Sequence, residues 1–180
     1  TRPVQAFVEV LSNWYVRLSR RRFWKSENDT DKLGAYATLY ECLVTVSKLI
    51  APAMPFLSEA LYRNLVSEVD PEAPLSVHLA RWPAYDPALI DEQALADMAL
   101  VQRLVSLGLA ARMTVKQRVR QPLLRAEFAT RDSSEGAVVE RLAELIQSEL
   151  NVKTVGVIRA DDARNLVQVV YSLNPLPQLL

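Results

Sequence analysis

The sequence contains one cysteine, one histidine and four glycines among its 180 residues. A single cysteine excludes an internal disulfide and a cysteine-rich zinc site, and it fits a reducing, cytoplasmic environment. The single histidine, His78, has no partner for nucleophilic or base catalysis, so we expect it to be structural or exposed. No P-loop or glycine-rich dinucleotide turn is present. We therefore assign no catalytic residue and no metal ligand.

A signal peptide and an apolar run of membrane length are also missing, so we expect no membrane partner. The formal net charge is zero, with 21 basic and 21 acidic residues, so overall charge does not indicate a nucleic-acid partner. The charges are nevertheless uneven, because residues 17–25 and 112–125 contain no acid. This pattern is compatible with a nucleic-acid-binding part of a larger protein. Since the chain begins without methionine and ends in mid-pattern, we expect it to be a piece of a longer polypeptide.

Hydrophobic periodicity predicts a mainly α protein whose first domain, residues 1–113, is an up-and-down bundle of four helices. The predicted helices cover residues 1–24, 32–51, 55–68 and 92–113. Thr30 or Asp31 is expected to cap the second helix, Pro55 to begin the third, and Asp91 to begin the fourth. An irregular segment, residues 70–91, joins the last two helices and contains the short extended piece SVHLARWP.

After residue 113 the pattern changes to that of a small α+β unit, residues 114–180, which is incomplete at its C-terminal end. The expected order is strand, helix, strand and strand, over residues 123–130, 134–150, 152–159 and 166–173. Ser133 or Ser134 is expected to cap the helix and Asn151 to close it.

The first basic cluster lies on the first predicted helix. At 100° per residue, four side chains project in one direction and form what we call the basic stripe: Asn13, Arg17, Arg20 and Trp24. Arg21, Arg22 and Phe23 surround it, while Trp14 and Leu18 fall on a neighbouring apolar stripe. Arginines contact phosphates and stack on bases, and an indole offers a further stacking plane. The stripe suits an unpaired nucleic-acid loop, although a solvated basic helix face has the same pattern.

The sequence of this helix, NWYVRLSRRRFW, resembles the first helix of the anticodon-binding domain of isoleucyl-tRNA synthetases, which are class I aminoacyl-tRNA synthetases. LIAPAMPFLSEALYRNLV resembles the junction between the second and third helices of that domain. The resemblance covers nearly the whole chain, most specifically residues 11–24 and 52–66. Leu18 stands where the family commonly has a second arginine, which weakens the idea that this position contacts RNA.

The resemblance implies a fragment that recognises the anticodon stem-loop of isoleucine tRNA, followed by the start of the C-terminal junction region. The implied tRNA-binding residues are Asn13, Arg17, Arg20, Arg21, Arg22, Phe23 and Trp24. The parent enzyme would be a ligase that charges tRNA with isoleucine using ATP and magnesium. Because both ATP-binding signatures of the class are missing, we expect this chain to hold no cofactor and to perform no chemistry alone. Its partners would be tRNA and the remainder of the synthetase, with no DNA.

A second basic cluster follows the fourth predicted helix. If residues 116–120 are extended, alternation places Lys116, Arg118 and Arg120 on one face, with Arg112 one helical turn earlier. All four are candidate phosphate contacts, which would add salt dependence rather than sequence preference. A solvated strand edge protected by charge would show the same pattern.

Three other interpretations remain open at this stage. The chain could be the corresponding part of a valyl- or leucyl-tRNA synthetase, although the sequence motif RRRFW argues against it. It could be a helical protein-interaction module that presents its arginines to an acidic partner. A free-standing enzyme would require turnover by the isolated chain, and we expect none.

Overall fold

The computed structural model describes residues 2–24, 29–130 and 132–159. The chain divides into two compact units, Thr1–Asp86 and Pro87–Leu180. The described residues are mainly helical, with a small parallel sheet in the second unit, which confirms the predicted mainly α class. The up-and-down packing of four helices and the domain boundary near residue 113 stay predictions.

The helices of the first unit follow the predicted order. They are α1 (Arg2–Val10), a π-helical turn (Leu11–Val16), α2 (Arg20–Phe23), α3 (Thr30–Ile50) and α4 (Pro55–Tyr62), which a second π-helical turn (Arg63–Ser67) extends. A 3₁₀ turn, Val77–Leu79, occupies the segment that we predicted to be extended. That prediction was wrong because the Ser76 hydroxyl accepts a hydrogen bond from the His78 N–H, which starts a tight turn.

Local capping explains where the helices of this unit begin. The Asp29 carboxylate accepts a hydrogen bond from the Lys32 N–H at 2.7 Å, so Asp29 caps α3 instead of the predicted Thr30 or Asp31. Pro55 occupies the first turn of α4, as predicted, where its missing N–H costs nothing.

The loop after α4 is attached to that helix by one carboxylate. Ala51 at the end of α3, Tyr62 of α4 and Val77 of the 3₁₀ turn form a buried cluster. The Glu59 carboxylate accepts hydrogen bonds from the Ser76 hydroxyl at 2.8 Å and from the Val77 N–H at 3.0 Å. The Ser76 hydrogen bond is the largest of the effects that hold the pKa of Glu59 below its ordinary value.

The second unit combines one long helix with a β-α-β arrangement. After a 3₁₀ turn (Pro87–Leu89), its elements are α5 (Glu92–Thr114), β1 (Leu123–Thr130), α6 (Ser133–Arg141), α7 (Ala143–Leu150) and β2 (Val152–Arg159). Asp91 caps α5, as predicted, by accepting a hydrogen bond from the Ala94 N–H at 2.9 Å. The strands pair in parallel, in a register from Leu123 opposite Val152 to Thr130 opposite Arg159.

The helix predicted over residues 134–150 is divided at Leu142 into α6 and α7. Asp132 caps α6 instead of Ser133 or Ser134, because its carboxylate accepts a hydrogen bond from the Glu135 N–H at 2.9 Å. Asn151 closes α7 in the left-handed conformation, with φ of 50°, as predicted. The strand predicted at residues 166–173 lies outside the described residues.

The core of the second unit lies between α5, the two short helices and the sheet. Fully buried side chains in this core are Val101, Val105, Val139, Ile146 and Leu150. A Cβ atom built on Gly108 would lie 2.7 Å from the Leu150 methyl groups, so α5 approaches α7 closely at this glycine.

Among the described residues, α3 and α5 are long and apolar enough to cross a membrane by length and composition. The expectation that no apolar run reaches membrane length was therefore wrong for these two segments. Core helices of soluble proteins have the same composition.

Candidate nucleic-acid interface

The first helical segment is not a uniform α-helix. The π-helical turn at Leu11–Val16 changes the rotation per residue, and Ser19 then interrupts the helix before α2. Ser19 is buried, and its carbonyl accepts hydrogen bonds from the Arg22 and Phe23 N–H groups at 2.9 and 3.0 Å. The even helical spacing that defined the basic stripe therefore does not hold across residues 13–24.

Arg22 attaches α2 to the start of α3. Its Nε donates to the Asp31 carboxylate at 2.8 Å, and its Nη2 donates to the Asp31 main-chain carbonyl at 3.0 Å. Two donors of one guanidinium thus bind one residue, which fixes the orientation of α2 as well as its position. Arg22 thus makes a structural contact with the start of α3, and its role in tRNA binding stays a prediction.

Phe23 provides a second attachment of α2, through aromatic contacts. Its ring lies 4.9 Å from the Tyr36 ring and 6.5 Å from the Tyr15 ring, in tilted and edge-on arrangements. The Tyr15 hydroxyl donates to the Ala35 carbonyl at 3.0 Å, and the Tyr36 hydroxyl donates to the Phe23 carbonyl at 3.4 Å. Phe23 therefore packs against the Tyr15 and Tyr36 rings, and its role in tRNA binding stays a prediction.

Within residues 20–24, these attachments leave three side chains exposed: Arg20, Arg21 and Trp24. We call them the α2 surface. Trp24 is 82% exposed, an unusual position for a large aromatic side chain. Neither Arg20 nor Arg21 makes an ion pair within the described part of the chain. The α2 surface thus combines two guanidinium groups with an available indole plane.

Arg17 lies beside this surface and contacts Trp14. Its Cζ is 5.8 Å from the centroid of the Trp14 ring, within the range of a cation–π interaction. Trp14 is half-buried, in line with the packing role that the sequence indicated, and Arg17 and Asn13 are exposed.

The second basic cluster lies on the loop between α5 and β1, residues 115–122, which we call the basic loop. Its backbone is turned and not extended, because Lys116 has φ of 54° and the Gln121 N–H donates to the Arg118 carbonyl at 3.0 Å. The condition for alternation, an extended backbone, is therefore not met, although Lys116, Arg118 and Arg120 are all exposed.

Arg112, predicted to contact phosphate, is buried with only 4% of its surface exposed. Its Nη2 donates to the Arg118 carbonyl at 2.7 Å and to the Val119 carbonyl at 3.4 Å, and it also binds the Gln121 carbonyl. Burial lowers the pKa of its guanidinium. This side chain holds the basic loop from inside and does not face a surface where a phosphate would bind.

Sequence reasoning missed the residues that orient both clusters. Asp31 and Tyr36 orient α2, and Asn151 binds the basic loop because its Nδ2 donates to the Val119 carbonyl at 2.8 Å. Asp31 is an acid that follows the arginine run closely in sequence, a signal that could have suggested a partner. No comparable local signal marks Asn151, which is 32 residues from the carbonyl that it binds.

Within residues 2–24, 29–130 and 132–159, no three histidine, cysteine, aspartate or glutamate side chains come together to hold a metal ion. Magnesium that arrives with ATP needs only one or two carboxylates besides the phosphates, so the expectation that this chain holds no cofactor stays a prediction.

The chain matches known proteins over most of its length. Residues 2–128 match the model of the family described as the anticodon-binding domain of tRNA ligase. An isoleucine–tRNA ligase of Thermus thermophilus is 53% identical over 174 residues, which are 96% of this chain and 16% of that protein. Ligases of the same name from Dehalococcoides mccartyi and Methanocella arvoryzae are 52% identical over 156 residues (87% of this chain, 15% of that protein) and 39% identical over 176 residues (97% and 16%).

The chain thus spans about one sixth of the length of these curated relatives. The matched residues include α1 to α5, the α2 surface and the basic loop. The chain belongs to the family of anticodon-binding domains of tRNA ligases.

Proposed function

We propose that this chain is the part of an isoleucine–tRNA ligase that binds the anticodon stem-loop of isoleucine tRNA. The family membership and the names of the relatives support this assignment. The complete protein would use ATP and magnesium in a separate catalytic domain to join isoleucine to its tRNA in the cytoplasm. The partners of the chain would be that tRNA and the remainder of the ligase.

The observation that carries the proposal is the fixed orientation of α2. Arg22 and Phe23 hold the helix against α3 through a guanidinium–carboxylate contact and two ring contacts. The adjacent Arg20, Arg21 and Trp24 remain exposed. Because their helix is fixed before any ligand binds, less conformational freedom is lost on binding than from a mobile basic tail.

The chemistry of the α2 surface suits a single-stranded loop of RNA. Guanidinium groups bind phosphate oxygens and stack on bases, and the exposed indole of Trp24 can stack on an unpaired base. Unstacked bases of this kind occur in hairpin loops and not within an RNA duplex, whose deep major groove excludes side chains. Asn13 and Arg17 extend the candidate contact region.

The chain would contribute to charging by position and not by chemistry. Holding the anticodon end of a tRNA fixes the orientation of the whole molecule, so that its acceptor end reaches a distant active site. Lys116, Arg118 and Arg120 on the basic loop would add contacts to the RNA backbone.

The test is a binding titration of the 180-residue chain with an isoleucine tRNA. The double variant Arg20→Ala/Arg21→Ala should weaken tRNA binding by about tenfold to a hundredfold, because two phosphate contacts are lost. Each lost contact should also lower the slope of log K against log salt by about one. Arg81→Ala/Lys153→Ala removes two exposed charges elsewhere and is the charge-matched control. Equal affinity of both variants for tRNA would overturn the proposal.

The same variants address the alternative of a helical protein-interaction module. Unchanged tRNA affinity of the Arg20→Ala/Arg21→Ala variant, together with loss of an acidic protein partner, would favour that module. Thermal unfolding of both variants at the wild-type temperature would show that neither result comes from a folding defect.

A further inference from the structure

We propose that Arg112 and Asn151 are positioning residues that hold the basic loop in the shape that contacts the RNA backbone. This inference rests on the proposed function of tRNA binding. It assigns Arg112 a role different from that of the three exposed basic residues near it in sequence.

The first argument is the number of loop carbonyls that one buried guanidinium holds. Nη2 of Arg112 donates to the carbonyls of Arg118, Val119 and Gln121. These three acceptors lie within four consecutive residues, so their convergence on one nitrogen curls the loop around the guanidinium. Side chains on a loop curled in this way point away from the buried centre, and Arg118 and Arg120 are both exposed.

The second argument is that loop carbonyls are the only hydrogen-bond partners of the Arg112 side chain among the described residues. Its Nε and Nη1 are buried without a hydrogen-bond partner in that part of the chain. Burying a guanidinium with unmet donors is unfavourable for folding. The loop carbonyls are therefore the partners that keep Arg112 in place, which couples the shape of the loop to this one side chain.

A third argument comes from Asn151, which holds the loop from the other side. Its Nδ2 donates to the Val119 carbonyl at 2.8 Å, and its own carbonyl accepts from the Leu123 N–H at 3.1 Å. Val119 is thus bound by both Arg112 and Asn151. The basic loop is fixed at its centre and at its exit, although its side chains face solvent.

The strained residue of the loop carries one of its three charges. Lys116 has φ of 54°, a conformation that residues with a side chain seldom adopt. The Gln117 N–H donates to the Arg112 carbonyl at 2.9 Å, directly after this residue. Lys116 is exposed, as are Arg118 and Arg120 on the same loop. Three cations on one fixed turn suit successive phosphates of an RNA strand.

The experiment compares four forms of the full 180-residue chain in tRNA titrations at several salt concentrations. The contact variant is Lys116→Asn/Arg118→Gln/Arg120→Gln, in which asparagine tolerates the positive φ. The positioning variants are Arg112→Lys, which keeps the charge but has no planar fork, and Asn151→Gly, which keeps the left-handed backbone and removes the Nδ2 donor.

The contact variant should lower the slope of log K against log salt by about two to three, because three phosphate contacts are lost. Arg112→Lys and Asn151→Gly should each weaken tRNA binding by about threefold to tenfold and lower that slope by about one, with no change of charge on the loop. Should Arg112→Lys fail to fold, Asn151→Gly alone still tests the inference.

A double-mutant cycle separates positioning from a general effect on stability. Adding Asn151→Gly to the contact variant should cause no further loss of tRNA affinity, since the groups that it positions are already absent. Additive losses would overturn the inference, as would unchanged tRNA binding by both positioning variants. If Arg20→Ala/Arg21→Ala still weakens tRNA binding as proposed in that case, the proposed function stands and only this inference fails.

Discussion

Arg22 binds Asp31 through two different donors, Nε to the carboxylate at 2.8 Å and Nη2 to the main-chain carbonyl at 3.0 Å. The neighbouring Arg21 is exposed and makes no ion pair within the described residues. Two adjacent arginines of one short run therefore have different tasks. Arg22 orients α2 on the fold, and Arg21 faces outward on the α2 surface.

The first prediction separates these two arginines. Arg22→Ala should lower the free energy of unfolding by about 1 kcal/mol, because a partly exposed ion pair and one charged hydrogen bond are lost. Arg21→Ala should change it by less than about 0.5 kcal/mol, as is usual for exposed side chains. Urea denaturation of both variants checks this, and equal stability losses would contradict the assignment of Arg22.

The second prediction concerns the exposed indole of Trp24. Trp24→Ala should weaken binding of an anticodon stem-loop by about 1–3 kcal/mol, the usual loss when one base–aromatic stack is removed. The salt dependence of binding should not change, because no cation is removed. Trp24→Phe is the control that keeps a smaller stacking plane, and it should recover part of the lost affinity. Equal binding by wild type and Trp24→Ala would exclude stacking on this residue.

How far the sequence predicts this site depends on which contacts are local. The periodicity of residues 92–113 and the cap at Asp91 predicted α5 almost to the residue, because both signals lie within the helix itself. The same reasoning treated residues 1–24 as one regular helix. It missed the π-helical turn and the break at Ser19. These accompany contacts with α3, such as the hydrogen bond from the Tyr15 hydroxyl to the Ala35 carbonyl, which leave no pattern within the helix sequence itself.

For the site residues, the sequence identified the right segments but not the direction of each side chain. Nothing within the run of three arginines distinguishes Arg22 from Arg21. The distinction comes from Asp31 and from the Tyr36 ring that packs on Phe23, both on α3. Arg112 was grouped with the exposed cations for the same reason, because its carbonyl partners become available only when the loop turns back.

The third prediction is a pH dependence of the first unit. The Ser76 and Val77 hydrogen bonds hold the pKa of Glu59 below its ordinary value. A lowered pKa in the folded state means that the unfolded state binds protons first, so this stabilisation is present at neutral pH and is lost as pH falls. Glu59→Gln should unfold at a lower temperature than wild type at pH 7, and the difference should shrink below about pH 4.3.

Thermal unfolding at a series of pH values checks this prediction. Glu72→Gln is the control, because it changes an exposed carboxylate of the same unit. A difference between Glu59→Gln and wild type that stays constant between pH 7 and pH 3 would contradict the role of the Glu59 charge.

The fourth prediction contrasts two helical glycines. A Cβ on Gly34 in α3 would meet nothing within 4 Å, so Gly34→Ala should stabilise the chain by about 0.5–1 kcal/mol. A Cβ on Gly108 would lie 2.7 Å from the methyl groups of the buried Leu150. Overpacking there exceeds the gain in helix propensity, so Gly108→Ala should destabilise by about 1 kcal/mol.

Chemical denaturation of both alanine variants measures this contrast. Leu150→Val in the Gly108→Ala background should recover part of the lost stability, because the shorter side chain leaves room for the new methyl group. A stabilising effect of Gly108→Ala equal to that of Gly34→Ala would show that α5 and α7 do not pack closely at this position.

The central claim is that this chain recognises an anticodon loop and does not merely attract RNA. The measurement that tests it most directly is a titration of the chain with an isoleucine anticodon stem-loop, beside one with a scrambled loop, at increasing salt. We predict that the preference for the correct loop persists as salt rises, since base contacts carry the preference and counterion release does not. Equal binding of both loops that vanishes with salt would contradict the claim, because the arginines would then hold only phosphate.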